Sequence, residues 1–202
     1  PGGRGNGFAR ALGLPAAPVA ACEVLARARE RRIDVGEVGD RRFVGIASCG
    51  FDSDANRIAN ATRVPGGAAY AYAALRALAS WRPARFRVTI DGVTYEHTGY
   101  NVAAANGPAY GGGMYLAPDA QLDDGALDVV TVADVSKLRF VSQFPRVFKG
   151  THVRNDEVTV RRGREVRFEA DRPFTLYADG DPIAELPATV RVLPGAVRVL
   201  VP

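Results

Sequence analysis

The stretch FRVTIDGVTYEHT, residues 86–98, reads as two strands folded about one turn. Phe86, Val88 and Ile90 alternate with Arg87 and Thr89 on the way in, and Val93, Tyr95 and His97 alternate with Thr94 and Glu96 on the way out. Asp91-Gly92 between them is a two-residue hairpin signal, because both residue types tolerate positive φ. The same device is expected around Arg162-Gly163 in VTVRRGREVRFEA (158–170) and around Pro194-Gly195 in TVRVLPGAVRVLVP (189–202). ALDVVTVAD (126–134) and PFTLYADGDPI (173–183) read as further strands. Hairpins at short intervals with alternating faces argue for an antiparallel β-sandwich or barrel. The chain lacks a strand–helix–strand alternation, which argues against a doubly wound sheet. The expected fold is therefore mostly β, of the α+β kind: an antiparallel β-sandwich with a few helices.

Working outward, Asn6 is placed to cap a helix over Phe8–Leu12 that stops before Pro15. Val19, Cys22, Val24, Leu25 and Ala28 lie near helical spacing and predict a second helix over 17–31. RRIDVGEVGDRRFVGIASCGFD (31–52) predicts two short strands about Gly39-Asp40. Pro65-Gly66-Gly67 opens a helix over 68–81, whose stripe of Tyr70, Ala74, Leu78 and Trp81 is a core face. Another helix is expected over 136–148, with Pro145 near its end. Residues 1–32 form a helical lead-in, and 33–202 form the β domain.

The chain has 202 residues, 47% of them hydrophobic and 24% charged. That is enough to bury a core without metals or disulfides, and too apolar for a disordered chain. No apolar run approaches the roughly 18 residues of a membrane helix. The net charge of +4 is carried almost wholly by scattered arginines, with Lys137 and Lys149 the lysines. It permits attraction to phosphates or an anionic surface. No interleaving of aromatic and basic residues of the RNA-binding sort is seen, so nucleic acid is not expected as a partner. Cys22 and Cys49 lie far apart in apolar settings and read as free, buried thiols of a reducing compartment. No signal peptide is evident.

Three segments have the residue types of a reactive site. In PGGRGNGFAR (1–10), Gly2, Gly3, Gly5 and Asn6 precede a helix, where backbone N–H groups converge on an anion, with Arg4 beside them. In NVAAANGPAYGGGMYLAPDAQLDDGALDVV (101–130), Asn106-Gly107 and Gly111–Gly113 allow close backbone approach. Asp123, Asp124 and Asp128 crowd Gly125 there; Asp124 with the carbonyls of Gln121 and Ala126 supplies a half-shell for a hard cation such as Mg²⁺. An ordinary Asp-Gly turn accounts for the same residues without metal. In YADGDPIAELP (177–187), Asp179-Gly180 is a turn and Asp181 follows it, where a carboxylate can act as a general base. Asp52 and Asp54 in GFDSDAN make a second acidic cluster. His97 and His152 lack triad or metal-ligand spacing and read as structural.

These segments, in this order, resemble the diacylglycerol kinase and sphingosine kinase type of lipid kinase in its bacterial soluble form. The carriers are Pro1–Arg10, Gly50-Phe51-Asp52, the run from Asn106-Gly107 through Gly111–Gly113, Pro118 and Ala120 to Asp124-Gly125 with Leu127 and Asp128, and Asp179-Gly180-Asp181. Three family positions differ: Arg4 stands for a threonine, Gly7 for an aspartate and Asp181 for a glutamate. The resemblance implies that Asp181 accepts the proton of a lipid hydroxyl, with Asp52 and Asp179 further acidic candidates. It implies Mg²⁺ at Asp124, Gln121 and Ala126, and a nucleotide side at Gly3, Arg4 and Asn6, a remnant of which stands in the lead-in. ATP is then the phosphoryl donor and a diacylglycerol-like lipid the substrate. Cytoplasmic placement with peripheral contact at the inner membrane face follows, and a homodimer is left open. The family's Gly-Gly-Asp-Gly-Thr loop and its α/β nucleotide domain are not found in these 202 residues, so the chain alone is expected to be inactive. A non-catalytic lipid- or protein-binding module, and a kinase of the same superfamily acting on another acceptor such as NAD, stand as alternatives.

Overall fold

The computed structural model describes residues 6–62, 68–109 and 113–202. Two short helices lead in: α1 (Gly7–Ala11) and α2 (Pro18–Leu25). The long strand β1 (Arg29–Val38) turns at Gly39-Asp40 into β2 (Arg41–Phe43), and β3 (Ile46–Gly50) follows. Next come helices α3 (Phe51–Ala61) and α4 (Ala68–Ser80) and the hairpin of β4 (Ala84–Ile90) and β5 (Val93–Ala105). Then follow β6 (Leu127–Ala133), α5 (Lys137–Val147), a 3-10 turn (Thr151–Arg154), β7 (Val158–Gly163), β8 (Glu165–Ala170), β9 (Thr175–Ala178), β10 (Asp181–Glu185) and β11 (Ala188–Val201).

All pairings described are antiparallel. They join eleven strands in the order β10-β9-β3-β5-β4-β8-β11-β1-β2, with β6 on β5 and β7 on β6. The mostly β, antiparallel expectation holds, and the sheet curls nearly into a barrel. β5 is the branch point: its first half pairs with β4, and its second half runs between β3 and β6. Gly99 sits at the fork, where a Cβ would lie 2.1 Å from the Val132 carbonyl oxygen. Only glycine lets β6 approach there.

Apolar alternation along β4 buries Ala84, Phe86, Val88 and Ile90. These meet Val166, Phe168 and Val190 of the neighbouring strands and Leu78 and Trp81 of the α4 segment. Tyr100 stacks on Phe140 at 4.0 Å, and Phe51 meets Trp81 and Phe140 edge-on. α1 is tied in separately, Leu12 joining Ile33, Leu122 and Val201.

Five expectations need correction. The second helix ends at Leu25, not at residue 31, because Arg29–Ile33 pair with Val197–Val201 of β11. The 31–52 segment holds three strands and not two, and it runs into a helix. Arg162-Gly163 is no hairpin: β7 pairs with β6, whereas β8 pairs with β4 and β11. The Asp91 carboxylate accepts the N–H groups of Arg164 and Glu165 and turns the chain over the β4–β5 end. Pro194-Gly195 is a bulge inside the continuous β11, where the register shifts opposite Asp34. Cys22 is exposed, and only Cys49 is buried. Helices α4 and α5 fall where the sequence places them, and Ser136 caps α5 by accepting the Arg139 N–H.

Candidate functional site

The candidate site has two parts that share α3: a polar rim of turns and an apolar pocket. The rim starts at the β9–β10 turn. Asp179 adopts φ 52°, and its carboxylate accepts the backbone N–H groups of Val44 (2.9 Å), Gly45 (3.0 Å) and Ile46 (3.2 Å). A Cβ on Gly45 would stand 2.4 Å from that carboxylate, so the cradle needs glycine. Asn60 of α3 donates to the Gly180 carbonyl (3.4 Å) and Arg41 to the Pro182 carbonyl (3.1 Å). Asp181 is thus presented, solvent-exposed, at the start of β10 from a turn braced by three elements. Both residues are exposed, but Asp179 is the structural acid of the pair, its carboxylate taken up by three N–H groups, whereas Asp181 follows it at the start of β10.

The second part of the rim is the loop before β6. Of the three acids that crowd Gly125 in sequence, Asp123 turns to Arg31, while Asp124 and Asp128 both face Arg162. Asp123 pairs with Arg31 at 2.8 Å, which holds its carboxyl below the ordinary range. Asp124 accepts the Ala126 N–H (3.1 Å) and pairs with Arg162. Asp128 is buried in β6, with Arg162 3.9 Å away; burial raises its pKa despite that guanidinium. Among the described residues no three His, Cys, Asp or Glu side chains converge as a metal cage. The donors on offer are one carboxylate, shared with Arg162, and backbone oxygens. That set suits a Mg²⁺ that keeps most of its waters.

A residue that sequence reasoning passed over joins the two parts. Asp34 is 2% exposed, and its carboxylate accepts the N–H groups of Gly125 and Gly195, both at 2.7 Å. Its own carbonyl accepts from Asn106 Nδ2 (3.0 Å), which also donates to the Val44 carbonyl (2.9 Å). Val44 N–H in turn donates to Asp179. A continuous hydrogen-bonded path therefore runs from the Asp124-Gly125 loop to the turn that carries Asp181. Its sequence signal was Asp34 standing alone in the apolar run Ile33–Val35.

The nucleotide-side residues are less well placed. Gly3 and Arg4 lie outside the described residues. Asn6 stands at the α1 N-cap with φ 47° and no side-chain cap bond. Arg10 of α1 lies against Gly113, where a Cβ would come within 2.3 Å of its guanidinium. The first motif thus meets the end of the glycine run; Gly111 and Gly112 also lie outside the described residues.

The pocket has a volume of about 140 Å³ and lies between α3, β5, β6 and α5. Phe51, Met114, Leu116, Phe140, Phe144 and Val147 give it apolar walls. Asp52, at the start of α3, accepts from Asn101 Nδ2 (3.3 Å) on its wall. Ser53 shapes that helix start, accepting the Gly50 N–H and donating to the Gly50 carbonyl. His152 also lines the pocket; its Nε2 bonds the Leu116 carbonyl (3.1 Å), so Nε2 carries the proton and Nδ1 is an acceptor. Burial lowers its pKa and keeps it neutral. Asn101 Oδ1 and His152 Nδ1 are buried and without a partner among the described residues. An apolar cleft with a few acceptors fits an aliphatic ligand that carries a hydroxyl or N–H donor. Of the pocket's lining, only Asp52 stands among the sequence's candidate site residues; the periodic Phe51, Ala55, Ile58 and Ala59 were the missed signal of α3.

Comparison with known proteins gives the family of this β domain. Residues 45–201 match the family described as the YegS C-terminal NAD kinase beta sandwich-like domain, and residues 1–38 match the diacylglycerol kinase catalytic domain. The chain is 37% identical to a diacylglycerol kinase of Mycobacterium tuberculosis, over all of this chain and 68% of that protein. It is 31% identical to a probable lipid kinase YegS-like protein of Chromohalobacter salexigens, over all of this chain and 66% of that one. A crystal structure of a diacylglycerol kinase from Bacillus anthracis superposes with a TM-score of 0.72 at 18% identity, over all of this chain and 65% of that chain. The chain belongs to the diacylglycerol kinase and YegS-like lipid kinase family, and it spans about two thirds of the length of these relatives.

Proposed function

We propose that this chain is the acceptor-side part of an ATP-dependent kinase that phosphorylates the hydroxyl of a diacylglycerol-like lipid. The observation that carries the proposal is the apolar pocket set beside the acidic rim. α3 serves both: Phe51 and Asp52 line the pocket at its start, and Asn60 near its end bonds Gly180 next to Asp181. An acyl chain in the pocket would leave its glycerol hydroxyl at the polar side. Asp181 takes the hydroxyl proton as the lipid oxygen bonds the γ-phosphorus; the bond from that phosphorus to the β–γ bridging oxygen breaks, and ADP leaves. Asp124, with the carbonyls of Gln121 and Ala126, would hold Mg²⁺, which neutralises phosphate charge when bound. Arg162 orients Asp124 and competes with the cation for it.

The nucleotide site is proposed to need an α/β domain beyond residues 1–202, so that these residues alone bind lipid without turning over ATP. The test is phosphoryl transfer from ATP to diacylglycerol and, in parallel, to NAD. It is run with the chain alone and with the chain joined to the nucleotide-binding α/β domain that the family resemblance implies. Transfer to the lipid by the joined protein only is the expected result. Transfer to NAD in preference to lipid would replace the substrate, and lipid binding without transfer in either form would favour a non-catalytic module.

A further inference from the structure

Helix α5 is apolar on two sides; one lines the pocket, and the other meets it only where Phe148 packs edge-on against Phe144 at 5.7 Å. At about 100° per residue, Phe140, Gln143, Phe144 and Val147 share one side. These four line the pocket. Leu138, Val141, Pro145 and Phe148 share the other side, within an arc of about 80°. All four are exposed, Leu138 at 85% and Val141 and Phe148 at 44% each. Lys137 donates to the Ala79 carbonyl (2.9 Å), which sets the end of α4 against the start of α5. One turn earlier α4 exposes Leu75 at 64%. An apolar stripe of this kind on a water-facing helix marks an interaction surface.

The charge around the stripe is one-sided. Residues 137–157 carry Lys137, Arg139, Arg146, Lys149 and Arg154 against Asp156 and Glu157. Both lysines of the whole chain flank this helix. Glu157 is occupied by Arg139 at 3.0 Å. Lys149 and Arg154 are exposed and pair with no carboxylate among the described residues. An apolar stripe bordered by unpaired cations is the pattern of a helix lying in a bilayer interface with anionic lipid, not that of an interface between two copies, where these cations would face each other.

We propose that the outer side of α5 docks on an anionic membrane surface, Leu138, Val141 and Phe148 entering the headgroup boundary and Lys149 and Arg154 meeting lipid phosphates. The inner side of the same helix then walls the pocket, so a lipid passes from bilayer to pocket around one helix. This deepens the lipid-kinase proposal and rests on it for the passage of substrate. Vesicle binding itself needs no turnover, so a failure here would leave the kinase proposal standing.

The test is co-sedimentation of the full chain with phosphatidylglycerol/phosphatidylcholine vesicles and with phosphatidylcholine vesicles alone. Binding to the anionic vesicles that weakens with salt is expected, reduced at least ~10-fold by L138E with V141E and made less salt-sensitive by K149E with R154E. Hydrogen–deuterium exchange of the unaltered protein is the second measurement, with vesicle protection expected over 137–149. No binding to anionic vesicles, or binding with undiminished affinity in L138E/V141E, overturns the proposal. Protection elsewhere than α5, or self-association that L138E/V141E abolishes in the absence of vesicle binding, overturns it equally.

Discussion

The rim and the pocket are built by different means from the same sheet. In the rim, carboxylates collect backbone N–H groups: three at Asp179 and two at Asp34. Each cluster fixes a bend of the chain: Asp179 holds Val44–Ile46, and Asp34 holds Gly125 and Gly195. In the pocket, side chains from residue 51 to residue 158 converge, drawn from α3 and α4, from β5 and from the consecutive run of β6, α5, the 3-10 turn and β7. The rim therefore holds a few atoms rigidly, as phosphoryl transfer requires. The pocket offers area and shape, as an acyl chain requires. The rim rests on carboxylates that anchor distant turns, and the pocket on packed apolar side chains.

Substitutions can break that division. The largest effect is expected at Asp181, where Asp181→Asn removes the proposed base from an exposed position. Turnover should fall about 10²–10⁴-fold with the melting temperature unchanged. Near-normal turnover would take the chemistry away from the rim. Next comes Phe51→Ala, which leaves a hole among Trp81, Tyr100 and Phe140. It should cost ~3–5 kcal/mol of stability in urea unfolding, because the pocket wall is also core. A loss well under 1 kcal/mol would show the wall to be independent of the core. Asp34→Asn keeps one acceptor and strands one buried amide, at a cost of about 1–3 kcal/mol. It should also weaken Mg²⁺-dependent activity, since Gly125 loses its anchor, whereas activity at the parental level would cut the path between the two parts of the rim.

The smallest effect is one of pH. Burial lowers the pKa of His152 and His97 from the ordinary 6.5. The native state therefore stays unprotonated where the unfolded chain takes up protons, so stability is flat above that value and falls as pH drops below it. The acid-side slope of the urea midpoint should shrink in His152→Gln; an unchanged slope would remove His152 as the cause.

How much was legible follows the same division. The hairpins at Gly39-Asp40 and Asp91-Gly92 could be read because turn chemistry and alternation agree there, whereas at Asp179-Gly180 only the turn was legible and not the returning strand β10. Arg162-Gly163 and Pro194-Gly195 carry the same local marks, yet one is a corner between strands with different partners and the other a bulge. Alternation names a strand and not its neighbour, so only the partners Asp91 and Asp34 distinguish the cases. α3 was hidden because Asp52 and Asp54 read as an acidic cluster, although acids in a first helical turn favour its positive end. The turn of Asp181 and the loop of Asp124 stood out as motifs. Asp34, Asn101 and His152 did not, since their roles come from what the fold packs against them.

In the proposed reaction the acyl chain lies between α3 and α5 while the rim does the chemistry. The most direct test is cross-linking with a diacylglycerol whose acyl chain ends in a photoactivatable group, mapped by mass spectrometry of the digested protein. Labels on Met114, Phe140 and Phe144, which line the pocket, are expected. Labels confined to the paired β1 and β11, with those three residues unmodified, would contradict that placement.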